Sequence, residues 1–186
     1  MRLFAELLRE RIGSPLSLAS MGRDLAISPN TLRKYLEILE ALFIVFIVRP
    51  WHRNIARATL QAPKVYFYDT GLVKGDAGVR FENFMACSLL KHVEWQQDAL
   101  GKEMGLHYIR TKDGAEVDFA VSEGSHLIDL VECKLRDHKP HRALIRFAGE
   151  WPDARASQVL RDLDTPMDVG PIQIRDAAGW LMGLSA

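Results

Sequence analysis

The fold turns on the stretch Glu116-Val117-Asp118-Phe119-Ala120-Val121-Ser122-Glu123-Gly124-Ser125-His126-Leu127-Ile128-Asp129-Leu130-Val131-Glu132-Cys133-Lys134. Glu116–Val121 and Leu127–Leu135 are apolar and β-branched enough to read as two strands, with Ser122-Glu123-Gly124-Ser125 as the turn between them. Upstream, His107-Tyr108-Ile109-Arg110 reads as a further strand, joined to Glu116 through Lys112-Asp113-Gly114. Asp-Gly is a pair that tolerates the positive φ of tight hairpins.

This meander carries charges that a plain β-sheet does not need. Asp118 and Glu132 are hard oxygen donors suited to Mg²⁺ or Mn²⁺. Residues two apart on a strand share a face, so Lys134 lies beside Glu132, where an ammonium can orient water or offset developing negative charge on a phosphoryl group. Register limits the idea. A two-residue turn at Glu123-Gly124 would pair Asp118 with Asp129, leaving Glu132 on the wrong face. An odd loop or a bulge around residues 123–126 is therefore expected. Phe81-Glu82-Asn83-Phe84 opens a helix expected to run to about Val93, with Glu82 in its first turn as a further carboxylate. The catalytic candidates are Glu82, Asp118, Glu132 and Lys134, and the metal candidates are Asp118 and Glu132. The same four side chains also read as an ion-pair network bracing a central strand, since buried acids need partners.

Farther upstream the pattern is helical. Leu3, Leu7, Leu8 and Ile12 recur at helical spacing before Gly13, and Leu18–Leu25 forms a second short helix with Ser17 as its cap. Ser28-Pro29 places a capping hydroxyl before a proline at the first helical position, where the missing N–H costs nothing. Leu32, Tyr35, Leu36, Leu39 and Leu42 then form one apolar stripe, with Thr31, Arg33, Lys34 and Glu37 elsewhere. Strands at Phe43–Val48 and Lys64–Tyr68 follow, separated by Arg49-Pro50-Trp51-His52-Arg53-Asn54. Three helices, a strand, a loop and a strand is the order of a winged helix-turn-helix, whose second motif helix usually enters the major groove. Thr31, Arg33 and Lys34 on that helix, and Arg49, Arg53 and Arg57 in the wing, are the nucleic-acid-binding candidates. Such modules also dock proteins, and Glu37 and Glu40 on the same helix dilute its basic character.

A helix with Glu82, a hairpin with Asp118 and then Glu132-Cys133-Lys134 resembles the P-D-(D/E)-x-K restriction-endonuclease-like superfamily. The longer series is more specific: Ser28-Pro29-Asn30-Thr31, Tyr35-Leu36-Glu37-Ile38-Leu39-Glu40, Lys64-Val65-Tyr66-Phe67-Tyr68-Asp69-Thr70-Gly71, Phe81-Glu82-Asn83-Phe84, Tyr108–Phe119 and Glu132-Cys133-Lys134. Over about residues 1–140 it resembles the domain of unknown function that follows the P-loop domain in many prokaryotic AAA-type ATPases. That resemblance implies an ATPase domain, a winged helix and a nuclease-like α/β domain, in that order. The chain has no G-x-x-x-x-G-K-[ST] segment, so it is expected to be the C-terminal region of such a protein without ATPase chemistry of its own. Its Gly71–Phe81 stretch is shorter than the resemblance implies.

Composition bounds the alternatives. With 186 residues, 48% hydrophobic and 26% charged, the chain fits one large or two small globular domains rather than a disordered one. Ala41–Val48, the longest apolar run, is far below the roughly 20 residues of a bilayer span. No leader pattern stands at Met1 and only two cysteines are present, so a cytoplasmic location is expected. Formal net charge is zero, yet residues 1–76 carry 11 basic against 7 acidic side chains and the remainder 13 against 17. A neutral total therefore leaves room for a local basic surface.

The expectation is an α/β (α+β) chain: a winged helix-turn-helix over 1–75, then a restriction-endonuclease-like mixed sheet flanked by helices over 76–186. Two functions follow. One is a nucleic-acid-associated region of an AAA-type ATPase, acting as a Mg²⁺- or Mn²⁺-dependent nuclease on DNA. The other is a non-catalytic module that docks the ATPase domain or another protein. His138, Lys139, His141 and Arg142 suit phosphate contact beside the carboxylates, and their spacing matches no standard zinc ligand set.

Overall fold

A computed structural model describes residues 1–52 and 62–184. Three helices come first: α1 (Arg2–Arg9), α2 (Leu18–Leu25) and α3 (Pro29–Ala41). Then β1 (Val45–Pro50) and β2 (Lys64–Phe67) precede α4 (Ala77–Leu100), β3 (Met104–Arg110), β4 (Glu116–Glu123) and β5 (His126–Lys134). The chain closes with α5 (Arg142–Glu150), β6 (Arg155–Leu160), β7 (Met167–Val169), β8 (Ile172–Asp176) and α6 (Ala177–Met182). All eight strands form one mixed sheet in the order β2-β1-β3-β4-β5-β6-β8-β7. The α+β class expected from the sequence is the one observed.

Local chemistry sets the boundaries. Ser17 Oγ accepts from the Ser20 N–H at 3.2 Å and Ser28 Oγ from the Thr31 N–H at 3.1 Å, so both expected caps are made. α1 ends at Arg9, before the expected Ile12, which is nevertheless buried. α4 starts four residues before the expected Phe81, because Asp76 Oδ1 accepts from the Gly78 and Val79 N–H groups at 2.8 and 3.0 Å. It runs past Val93 to Leu100 and stops where Gly101 turns left-handed at φ 65°. Glu82 thus falls in the second turn of α4 instead of the first.

The sheet separates two apolar layers. On one side α4 packs Phe81, Met85 and Leu89 with Tyr66, Phe119, Val121, Val131 and Cys133, and α1–α3 join the same core through Phe4, Leu8, Leu32 and Leu36. On the other, α5 packs Ala143, Leu144 and Phe147 with Val117, Ala120, Leu130 and Ile174. β1 pairs antiparallel with β2 and parallel with β3, so residues 1–75 share both sheet and core with the rest of the chain.

Two irregularities position the acids. β4 and β5 are joined by a two-residue turn, with Glu123 opposite His126, so the loop is not odd. The expected shift lies farther along: Ser122 faces Leu127 but Val121 faces Asp129, leaving Ile128 as the extra residue of a bulge. Register then runs to Phe119 opposite Val131, and one further step sets Asp118 across from Glu132. A second bulge lies between β3 and β4, where His107 faces Ala120 but Ile109 faces Val117. Asp118 and Phe119 together face Tyr108 there. Such a bulge re-aims side chains, and it explains why Val117 and Ala120, three apart, enter the same core layer.

Candidate functional site

β2, α4, β4 and β5 converge on a cluster of acids and lysines. Lys64 stands on β2 with its side chain only 1% exposed, its Nζ 2.6 Å from Glu116 Oε1 and 3.4 Å from Glu82 Oε1. The Tyr66 hydroxyl donates to Glu82 Oε1 at 2.7 Å. Asn83 sets this register, because its amide accepts from the Phe67 N–H and donates to the Phe67 carbonyl, both at 2.8 Å. Gly13, at φ 72°, gives Glu82 its room: a Cβ there would meet Glu82 Oε1 at 2.6 Å.

Asp118 and Glu132 occupy the centre. Asp118 Oδ2 accepts the Cys133 N–H at 2.9 Å, which ties the bulged strand to β5. Glu132 is buried, with its side chain 2% exposed, and Oε1 takes Lys134 Nζ at 2.6 Å. Glu132 Oε2 is buried with no hydrogen-bond partner among the described residues. His141 Nδ1, at the start of α5, stands 3.2 Å from Glu132 Oε1 in ion-pair range, without the alignment of a hydrogen bond.

The electrostatics are those of crowded carboxylates. Burial, then the Asp118 charge, push Glu132 up to about 8 against the opposing pull of Lys134. The same two causes push Glu82 up to about 7 against Lys64 and Tyr66. Burial alone would lower Lys64 and Lys134, but the surrounding acids outweigh it and hold both above the ordinary lysine value. Asp118 acts on Glu82, Glu132, Lys64, Lys134 and His141 alike, so it is the electrostatic centre of the set.

Glu82, Asp118, Glu132 and Lys134 therefore lie in one electrostatically linked cluster. Among the described residues no group of three or more His, Cys, Asp or Glu side chains is arranged to hold a metal ion. Sequence reasoning missed Lys64, Glu116 and Gln158. Gln158, fully buried on β6 beside Glu132, donates to the Asp137 and Lys139 carbonyls at 2.6 and 3.0 Å and accepts the His141 N–H at 2.8 Å. It pins the loop that brings His141 to Glu132. A glutamine inside the apolar run Ala156–Leu160 was the available signal.

The nucleic-acid candidates are more scattered. Arg33 and Lys34 are exposed on α3, but Arg33 lines one groove with Glu37, Glu40 and Arg49. Thr31 Oγ1 lies 2.8 Å from Ser28 Oγ and belongs to the helix cap. Arg53 and Arg57 lie outside the described residues. No helix among the described residues is long and apolar enough to cross a membrane.

Comparison with known proteins divides the chain near the start of α4. Residues 1–80 match the model of a domain of unknown function, DUF8612, and residues 77–170 that of another, DUF4143. Uncharacterized proteins of Mycobacterium bovis (Mb2031c) and Mycobacterium tuberculosis (Rv2008c) are each 30% identical over 115 residues, covering 59% of this chain. The chain spans 26% of the length of either relative. Among solved structures, a half-complex of Thermococcus gammatolerans McrB AAA+ hexamers with bound McrC is 15% identical, with a TM-score of 0.35. It covers 60% of this chain and 30% of the other, and at that score carries no argument. With the second model covering 94 of 186 residues, the chain belongs to the DUF4143 family of domains of unknown function.

Proposed function

We propose that the Asp118–Glu132–Lys134 cluster is a divalent-cation site of nuclease type, within a nucleic-acid-associated C-terminal region of an AAA-type ATPase. The observation that carries this reading is Glu132 Oε2, a buried carboxylate oxygen without a partner, beside the Asp118 carboxylate. Two adjacent acids pushed toward protonation create a charge deficit that a cation relieves better than a proton does. Mg²⁺ commonly takes only one or two protein carboxylates and completes its shell with water and phosphate oxygens, so a third protein ligand is not required. A bound Mg²⁺ or Mn²⁺ would supply Lewis acidity toward a phosphoryl oxygen.

The chain's own groups supply the rest. Lys134, held protonated by Glu132, offers a fixed positive charge to a phosphate in line with β5. Gln158 holds His141 over Glu132, where the imidazole can accept or return a proton. Lys64, Tyr66 and Asn83 keep Glu82 at the edge of the cluster.

A second reading, a non-catalytic interaction module of the ATPase, draws support from the internal neutralisation of Lys64 by Glu82 and Glu116. One experiment separates the two. Calorimetric titration of Mn²⁺ into wild type, Asp118→Asn and Glu132→Gln is paired with supercoiled plasmid incubated with each protein. The cation-site reading expects Mn²⁺ binding at least tenfold weaker in both variants, and nicking by wild type alone. Equal Mn²⁺ binding in all three proteins with intact plasmid would leave the interaction module as the better account.

A further inference from the structure

The C-terminal end of α3 contains a residue that its own fold does not call for. Helix α3 closes in a Schellman turn, with the Ile44 N–H donating to the Leu39 carbonyl at 3.0 Å and the Phe43 N–H to the Glu40 carbonyl at 2.9 Å. The residue after the cap in this motif is usually glycine, because it must adopt the left-handed conformation. Here it is Phe43, at φ 53°. A bulky aromatic in that region is a backbone outlier.

Burial does not account for it, since Phe43 is 73% exposed. Its ring touches Tyr68 edge-on at 5.8 Å between centroids, and Tyr68 is itself exposed. Leu42 is 62% exposed, and Ile38, one turn earlier on the same helix, 42%. Ile38 and Leu42 form an i, i+4 ridge of the kind that packs into the groove of another helix. Phe43 and Tyr68 extend that ridge onto the end of β2.

The charges around this patch are mainly acidic. Glu40 and Glu94 both act on the Tyr68 hydroxyl, Glu37 adds a further carboxylate on α3, and the free carbonyls of the α3 C-terminus add partial negative charge. Lys34 lies one turn before Ile38 and Lys91 one turn before Glu94, while Arg49 faces Glu40 from the neighbouring groove. A like-charged second copy would be repelled here. A basic partner would not.

We propose that Ile38, Leu42, Phe43 and Tyr68 form a docking surface for an amphipathic helix of another protein, with Leu-type side chains on its apolar face flanked by Lys or Arg. Phe43 is the anchor, held in a glycine conformation so that its ring stands out from the surface. This surface is independent of the carboxylate cluster and needs no metal.

The test uses the full chain and three fluorescent probes: an 18-residue Leu/Lys amphipathic helix, its Leu/Glu counterpart and a random-sequence DNA duplex. Binding is read by anisotropy at 0.15 M salt for wild type, Phe43→Gly and Leu42→Ser, with the melting temperature of each. The Leu/Lys helix is expected to bind at least tenfold more tightly than the Leu/Glu helix, and both substitutions to weaken it at least tenfold. Phe43→Gly should melt at or above the wild-type temperature, because glycine relieves the backbone. The proposal is overturned by equal binding of the two peptides, by unchanged affinity in both variants, by displacement of the peptide by DNA at the same residues, or by self-association of the protein that Phe43→Gly abolishes. A fall of several degrees in the melting temperature of Phe43→Gly would assign Phe43 to the chain's own stability and overturn it too.

Discussion

Raising the pH from 6.5 to 8 should destabilise the metal-free protein, and Glu132 should account for most of the loss. Its carboxyl moves from the ordinary 4.5 to about 8 on folding, so the folded state holds a proton that the unfolded chain has released. A raised acid favours the fold below pH 4.5 and costs stability progressively as the pH climbs to 8. At about 1.36 kcal/mol per pH unit, the part of that change falling between pH 6.5 and 8 comes to roughly 1.5 kcal/mol. Glu82, raised to about 7, adds less than about 1 kcal/mol over the same interval. His107 acts with the opposite sign. Burial lowers it to about 4, so it adds stability as the pH rises from 4 to 6.5 and is flat above that. Urea unfolding in EDTA at pH 6.5, 7.25 and 8 isolates the carboxyl contribution. Wild type should lose about 1.5–2 kcal/mol and Glu132→Gln less than half of that. A wild-type profile that is level or rising over this interval, or an identical slope in Glu132→Gln, would refute the argument that Glu132 is buried without adequate compensation.

Other outcomes follow from single contacts. Lys64→Met leaves Glu82 and Glu116 facing each other without their cation, so it should destabilise the fold by about 3–5 kcal/mol in chemical denaturation. Gly13→Ala requires a left-handed alanine and moves the Glu82 carboxylate; a loss of about 1–2 kcal/mol or more is expected, measured by thermal melting. Gln158→Leu removes three hydrogen bonds to the 137–141 loop, and amide hydrogen exchange there should speed up at least tenfold while α4 stays protected. If α3 reads DNA, Arg33→Ala with Lys34→Ala should weaken binding to a duplex and flatten its salt dependence by about two ions; an unchanged salt slope would remove that helix from the interface.

Much of the N-terminal half was legible because its signals are local. Ser17, Ser28 and Pro29 act within one turn of where they stand, so cap chemistry alone places α2 and α3. The acid hairpin was legible for the same reason, and alternation alone showed that a register shift was needed to bring Asp118 and Glu132 together. Its location was not, because a bulge at Ile128 and a widened loop give the same parity in sequence. The length of α4 was hidden by polar residues that are buried in the fold, Asn83, His92 and Gln96, which blur the apolar stripe. Lys64 was hidden most completely. A lysine at the start of a short strand reads as a surface residue, and only α4 and β4, arriving 18 and 52 positions later in the chain, convert it to a buried cation. β7 and β8 escaped notice because β7 is three exposed residues long at the sheet edge. Phe43 was read as strand because it is aromatic, whereas the left-handed turn that ends α3 claims it first.

The zero net charge also takes on a local meaning. Many of the acids of the second half that lie near the cluster are paired inside the protein, as in Lys64–Glu116, Arg110–Glu116 and Lys134–Glu132. Asp118 and the free oxygen of Glu132 are where negative charge stays under-compensated in a buried position. The most direct measurement is therefore a crystal grown with Mn²⁺ at pH 8 and recorded at the manganese absorption edge. The account predicts an anomalous peak shared by the Asp118 and Glu132 carboxylates, with Lys134 turned from Glu132. No anomalous peak at those carboxylates, with Lys134 Nζ still seated on Glu132 Oε1, would contradict it.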